Sequence, residues 1–473
     1  YEILSGLVGS EDVYKRQRRG VPTMGWDLVY AVEIGHINTR IAARQEAPRR
    51  FHSAYGDNVT VQGALGPWKI VPGGSGHLVF LRVPILDAVL RHGDREQPFQ
   101  GAATLSFSLT YLEESAGHTL RVRHDADDKE AAFQVEKLEI DGLGGLMARS
   151  IVETALQEWL SANDDAFEHV FATIQLEALQ SDSAHAWLKP TTVSYAYADR
   201  PTRGDGVLAI LAMTNGRPGD HLAQQVMASA ITDDQAAAML ISPHLLLDWL
   251  IRPSLPLAYP GTKQEDFEFV GDFPMLQLQA PCKLTMDANS QLPAPPTLEA
   301  LTISFNGNEF VCVSETSVSD GTITEHRRCN SRQVLRMQTD AHGKPGIAFV
   351  QQGQPDVRSW TSVNPEAQAR ANKAAEWVMA VGTVVAIMVG GPIAVTVMVL
   401  AVMTSGIIKI APVLAALAHQ YLSKPYVQNV DLLALNAFRP FAWHGGADFA
   451  LESVDLAESL RISGSPWPSE TPV

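Results

Sequence analysis

Cysteine is almost missing: Cys282, Cys312 and Cys329 are the full complement of 473 residues. Their spacing fits neither a zinc site nor a CxxC pair, and an odd, sparse count excludes a disulfide framework. Free buried thiols are expected, with a Cys312–Cys329 bridge as the one alternative. An excess of basic charge is also missing. The net charge is −16 and the pI about 5.3. Nucleic acid is therefore excluded as the main partner, as is adhesion of the whole surface to acidic membranes.

Catalytic signatures are absent as well. PGGSGH at 72–77 lacks the Gly-Lys-Ser/Thr ending of a phosphate loop, and His77 stands where a nucleophile elbow needs its last Gly. In DGLGGLM, Met147 replaces the final Gly of a dinucleotide fingerprint, and no HExxH occurs. The acid pairs Asp127–Asp128, Asp164–Asp165 and Asp233–Asp234 adjoin turns or helix starts and read as solvated or capping. His244, alone on an apolar helix, reads as a satisfied core or interface residue. Arg49–Arg50, Arg327–Arg328 and Arg121 with Arg123 could contact phosphates, but a solvated face accounts for each. The expectation is no enzyme, no catalytic residues, no metal and no cofactor apart from a bound lipid. A signal-peptide core is lacking too. Residues 1–23 are expected to be a non-native or disordered leader. The chain is expected to be cytoplasmic at synthesis, with any release by a route independent of a signal peptide.

What is present is alternation. ATLSFSLTYL puts Leu105, Phe107, Leu109 and Tyr111 on one face and Thr104, Ser106, Ser108 and Thr110 on the other, the period of a half-buried strand. HLVFLRVPIL, HTLRVRHD and FQVEKLEI read as further strands. LTISFNGNEFVCVSE reads as a hairpin turning at Asn-Gly-Asn, followed by strands at GTITEHRRC, QVLRMQT and GIAFVQQG. Helices interrupt the pattern. VEIGHINTRIAAR aligns Ile34, Ile37 and Ile41; SIVETALQEWLSAN aligns Ile151, Ala155, Leu156 and Leu160. A third helical region is expected over roughly 222–252. There Thr232 caps TDDQAAAML, while Ser242 caps SPHLLLDWLI with Pro243 in its first turn. The end, 429–467, reads as strands and turns.

One stretch stands apart. Residues 377–408 carry no charge. A membrane helix needs about 20 apolar residues, but Gly390–Gly391–Pro392 divides the run into arms each too short to cross. Neither flank carries a Lys/Arg cluster. A helical hairpin over 365–422, buried against a sheet or covering an apolar groove, is expected, and no constitutive span. Its candidate lipid-lining residues are Trp377, Val381, Val385, Met388, Ile393, Val397 and Leu400.

The opening MGWDLVYAVEIGHINTRIA and the close FRPFAWHGGADFALESVDLAESLRISGSP resemble the clostridial forty-seven-kilodalton accessory proteins and the OrfX proteins encoded beside some botulinum neurotoxin genes. The resemblance runs from about 24 to 467 and rests on Gly25, Trp26, Asp27, Tyr30 and Asn38, then Pro440, Trp443, Phe449 and Leu460. It implies a tubular lipid-binding (TULIP) fold, α+β and elongated, in which strongly curved antiparallel sheets wrap long helices, here with the C-terminal apolar hairpin. A first lobe over 24–200 and a second over 201–473 are expected. It implies binding of lipid or phosphoinositide and no catalytic residues. The acidity of this chain makes an acyl-chain groove the expected site, with phospholipid and toxin-complex proteins as expected partners. Two rivals stay open: a scaffold component whose groove is filled by its own side chains, and a membrane-inserting toxin component that deploys 377–408.

Overall fold

Five consecutive buried apolar residues begin β1 (Leu28–Glu33). A strand buried on both faces needs cover on both sides, and the sheet around β1 supplies it. The computed structural model describes residues 20–363 and 431–466, apart from 45–46, 56–57, 115–116, 124–131, 176–178, 180–184, 271–273, 286–293, 320, 322, 340–344 and 444–448. Within it β1 is central to a six-stranded sheet, ordered β11–β12–β1–β13–β24–β23. Its other strands are β11 (Pro190–Arg200), β12 (Asp205–Thr214), β13 (Ala237–Ile241), β23 (Ala450–Ala457) and β24 (Ser459–Ser465). All pairings are antiparallel. Leu28, Tyr30 and Val32 enter one core with Leu208, Ile210, Met239 and Ile462. Val29 and Ala31 enter a second, on the opposite face, with Val207, Ala209, Leu211 and Leu240.

Three more sheets surround this one. The second holds β2 (Arg50–Tyr55), β3 (Val59–Leu65), β5 (Leu78–His92), β6 (Arg95–Phe107) and β9 (Phe133–Asp141), with β4 (Lys69–Ser75) also on β5. The third is β22 (Phe441–Trp443), β10 (Ala172–Ile174), β8 (Gly117–Val122) and β7 (Leu109–Glu114). The fourth is β14 (Phe267–Phe269), β15 (Met275–Leu278), β17 (Thr297–Asn306), β18 (Glu309–Ser319), β19 (Ile323–Thr339) and β20 (Pro345–Gln351). In it β16 (Cys282–Lys283) also pairs with β17, and β21 (Asp356–Val363) with β19. Bulges in the β5–β6, β3–β5 and β6–β9 pairings bend the second sheet. The Gly-rich end of β4, with Gly76 just beyond it, locks the second sheet to the first. Gly73 N–H donates to the Asp199 carboxylate at 2.9 Å, and Gly76 and Tyr197 exchange backbone hydrogen bonds. Gly73 sits at φ +123°, where a side chain would also strike the Phe80 ring.

The described helices are α1 (Ile34–Arg44), α2 (Leu146–Ala162), α3 (Pro243–Leu246), α4 (Arg252–Ala258) and α5 (Asp431–Phe438), with a π turn (Leu247–Ile251) joining α3 to α4. The longest has 17 residues. Open, curved antiparallel sheets dominate, and the expected long wrapped helices are not found among the described residues. No described helix is long and apolar enough to cross a membrane. The hairpin expected over 365–422 and its seven lining residues lie outside the described residues. Position 200/201, the expected lobe boundary, falls in the β11–β12 turn, where Arg200 makes two 2.8 Å hydrogen bonds to Asp205.

Four local expectations are corrected. Residues 237–241 are strand β13, not helix: Ala and Met favour helix intrinsically, but pairing with β1 and β24 overrides that preference. The alternating run at 103–112 breaks at Ser108, so β6 and β7 join different sheets. The stretches GTITEHRRC and QVLRMQT are one 17-residue strand, β19. Residues 431–438 form α5 rather than strand. The Ser242 cap, the Asn-Gly-Asn turn and the free thiols follow expectation, whereas Thr232 has no helix to cap and Cys282 is only half-buried. Ser242 Oγ accepts from Leu245 N–H at 3.1 Å, Asn306 faces Glu309 across the hairpin turn, and all three cysteines are free.

Ile210, fully buried in the central sheet, provides a test of this core. Ile210→Ala is expected to lower unfolding free energy by about 2–5 kcal/mol in a urea titration, the range for emptying a tightly packed aliphatic site.

Candidate functional site

The family-motif residues sit on and around β1, and they divide between its two sides. Gly25 has φ +89°, and a Cβ there would lie 2.8 Å from Leu222 Cδ2. The tight turn it makes buries Trp26, whose Nε1 donates to Ala223 O at 3.0 Å. Asp27 follows and is fully buried. Its carboxylate accepts from Thr214 N at 2.9 Å, Thr214 Oγ1 at 3.1 Å and Arg217 Nη1 at 2.7 Å. Burial pushes this carboxyl above its ordinary range, while Thr214 and Arg217 pull it back. On the other side Tyr30 makes edge contacts with Phe438, Phe441 and Trp443 at 4.9, 6.2 and 5.9 Å between ring centres. Phe449 stacks on Phe438 at 3.7 Å. The residues singled out at the two ends of the sequence therefore meet, joined through α5 and β22.

Sequence reasoning missed Arg217, which ties Asp27 to α3. Arg217 Nη1 lies 3.1 Å from His244 Nδ1. Arginine has only donors, so Nδ1 accepts and the imidazole is neutral with its proton on Nε2. The ring stacks on Phe269 at 4.3 Å. Burial, then Arg217, depresses the His244 pKa, partly offset by Asp248 and Asp27. His244 is thus a hydrogen-bonded packing residue. Among the described residues no group of three His, Cys, Asp or Glu side chains is placed to hold a metal ion.

One opening among the described residues lies beside α1. Asn38 faces β4 and treats Ile70 as a strand partner would. Its Nδ2 donates to Ile70 O at 2.9 Å and its Oδ1 accepts from Ile70 N–H at 2.6 Å. This clamp fixes α1 over the sheet. Beyond it a depression of about 280 Å³ is lined by Ile41, Ala47, Pro48, Arg49, Leu65, Trp68 and Leu86, among others. Its shape comes from β5. Pro84 offers no N–H, and the register slips between Ile85 and Ala88 against β6. Proline within a sheet marks an edge or a bulge, and here Leu86 is turned outward, 58% exposed. Trp68 is buried, stacked on Phe167 at 5.1 Å, and its Nε1 has no acceptor. Arg49 is exposed. The site is thus an apolar hollow with a cation beside it. Only Pro84 inside an alternating run signalled it in the sequence.

Two predictions follow from these contacts. Asn38→Ala leaves both backbone groups of Ile70 without partners and is expected to cost about 1–3 kcal/mol in denaturant unfolding. The second concerns pH. His244 has a depressed folded-state pKa, so its contribution to stability is present above the unfolded value of about 6.5 and lost as pH falls through the folded value. Asp27, raised on folding, runs oppositely and at lower pH. The melting temperature is expected to fall from pH 7 towards pH 5, and His244→Gln is expected to flatten that slope.

Comparison with known proteins places the whole arrangement. Residues 23–464 match the family described as OrfX-like, Protein OrfX2/OrfX3/P47. Protein OrfX3 of Paraclostridium bifermentans is 24% identical over 493 residues, covering 94% of this chain and 99% of that protein. Protein OrfX3 of Clostridium botulinum (strain Kyoto / Type A2) is 24% identical over 499 residues, covering 94% and 98%. Among solved structures, P47 from Clostridium botulinum A2 superposes with a TM-score of 0.64 at 14% identity, covering 94% of this chain and 98% of that one. P47 of Clostridium botulinum E1 gives 0.63 at 14% identity, covering 93% and 99%. The fold is that of the P47 structures.

Proposed function

The chain belongs to the OrfX2/OrfX3/P47 family, and from that premise we propose that it is a non-enzymatic lipid-binding protein of the tubular lipid-binding type, serving as an accessory component of a toxin gene cluster. The observation that carries this reading is the apolar hollow beside α1. Ile41, Leu65, Trp68 and Leu86 offer an acyl chain a surface that excludes water, and each buried CH₂ contributes about 0.8 kcal/mol. Arg49 suits an anionic head at the water boundary. The ligand class is a singly acylated or fatty-acid-like amphiphile, since the volume accepts part of one chain. Trp377, Val381, Val385, Met388, Ile393, Val397 and Leu400 are proposed as further lining.

Native mass spectrometry before and after solvent extraction tests the proposal. A stoichiometric adduct that extraction removes is the expected result. A clean mass with no uptake from added liposomes would overturn it in favour of a scaffold whose groove is self-filled. Leu86→Asp changes an exposed position, so the fold should persist. It is expected to weaken uptake of a fluorescent fatty acid at least about fivefold, the equivalent of about 1 kcal/mol of lost apolar contact.

A further inference from the structure

The outer face of the fourth sheet carries a second, chemically different site. Strand β19 is paired along one edge by β20 and then by β21, which run in the same direction. Between the pairs Gln333–Gln351 and Asn330–Asp356 lie two residues of β19 and four of the facing chain. The extra residues around Gly353 loop away, and a depression of about 230 Å³ opens beside them, lined by Arg328, Asn330, Asp356 and Arg358.

These four residues form two adjacent rungs on one face: Asn330 opposite Asp356, and Arg328 opposite Arg358. The next rung is His326 opposite Trp360. Their rings stack at 5.3 Å with a 4° interplanar angle, and His326 Nε2 lies 3.0 Å from Ser362 Oγ. Trp360 is nevertheless 43% exposed. Three rungs on one face span about 13 Å.

The chemistry of the block is mixed. Arg358 pairs with Asp356 at 3.2 Å. Arg328 faces Arg358 on one side and Glu315 of β18 on the other, and makes no ion pair among the described residues. Two guanidinium groups on one rung repel unless an acceptor lies between them. Asn330 Oδ1 is the complementary oddity: a buried acceptor with no donor. A fully ionised phosphate or sulfate would satisfy the guanidinium groups but has no hydrogen to give Asn330 or Asp356. A hydroxyl both donates and accepts. Vicinal hydroxyls would accept from Arg328 and Arg358 and donate to Asn330 Oδ1 and the Asp356 carboxylate. The apolar C–H face of the same ring would lie on Trp360.

We propose that Arg328, Asn330, Asp356, Arg358 and Trp360 form a carbohydrate site that takes one or two sugar rings of a glycan. The site is independent of the lipid reading, since it stands on a different sheet and a different ligand chemistry. The test is a glycan array probed with the full chain, its spots ending in neutral hexoses, N-acetylhexosamines, uronic acids and sialic acids. Hits are then titrated by calorimetry with Trp360→Ala, Arg328→Ala and Arg336→Ala. Arg336 is exposed on β19 but outside the block, and its variant serves as control. Retention of at least one sugar class is expected, weakened about tenfold or more by each of the first two substitutions and within twofold of the parent for the third, all with unchanged melting temperatures. Tenfold corresponds to about 1.4 kcal/mol. The proposal is overturned if no glycan is retained, or if retained glycans ignore both substitutions. It is also overturned if vesicles bearing phosphorylated headgroups bind through Arg328 and no sugar competes, since the block would then be a plain anion site.

Discussion

β1 has no face to spare. It is hydrogen-bonded on both edges and buried on both sides, a condition more typical of parallel sheets flanked by helices than of antiparallel ones. The rest of the architecture answers that condition. One side is covered by the aromatic group of Tyr30, Phe438, Phe441 and Trp443, together with α1 and the helical segment 243–258. The other is covered by the irregular chain around 222–231, anchored by Trp26. The second sheet joins the first through β4 and β11. Both openings described above lie at irregularities away from this centre, where strand register slips.

The polar groups near β1 follow from the same condition. Asp27 sits at its entrance, where burying a carboxylate is costly unless every lone pair is used. Thr214 and Arg217 use them, and Arg217 in turn needs an acceptor, which His244 supplies. The chain of contacts therefore sets the imidazole tautomer from a requirement that begins with one buried carboxylate. Elsewhere, Glu33 receives Arg200 at 2.8 Å and Arg203 at 3.3 Å where β1 ends. The central strand is thus held at each end by ionic contacts and along its length by packing.

Local pattern carried the reading of the sequence well where one face alone is buried. The Ile34, Ile37 and Ile41 stripe, the Ser242 cap and the Asn-Gly-Asn hairpin all depend on neighbours within a few residues. The reading failed where distant partners decide. Ala-Ala-Met-Leu-Ile at 237–241 is as apolar as a buried helix, and only its pairing with β1 and β24 makes it a strand. The same holds for α5, whose mostly apolar composition gives no clear strand or helix period to read. At the candidate site, Trp26, Asp27, Tyr30 and Asn38 were visible as a motif. Arg217 was invisible because it is nearly 200 positions from Asp27, and the hollow had only Pro84 to signal it because it forms from the spaces among α1, β3 and β5 rather than from any one segment.

The sheet order also bears on biosynthesis. β13 lies between β1 and β24, yet some 220 residues separate β13 from β24 along the chain. While the polypeptide is still emerging from the ribosome, β13 can pair with β1, but its outer edge stays open until β24 has been made. An unpaired apolar strand edge is a template for wrong pairing. Nascent chains of this protein therefore carry a long-lived sticky margin, and premature termination anywhere before β24 would leave it permanently exposed. Closure of this sheet therefore waits for β24, the last of its six strands in chain order.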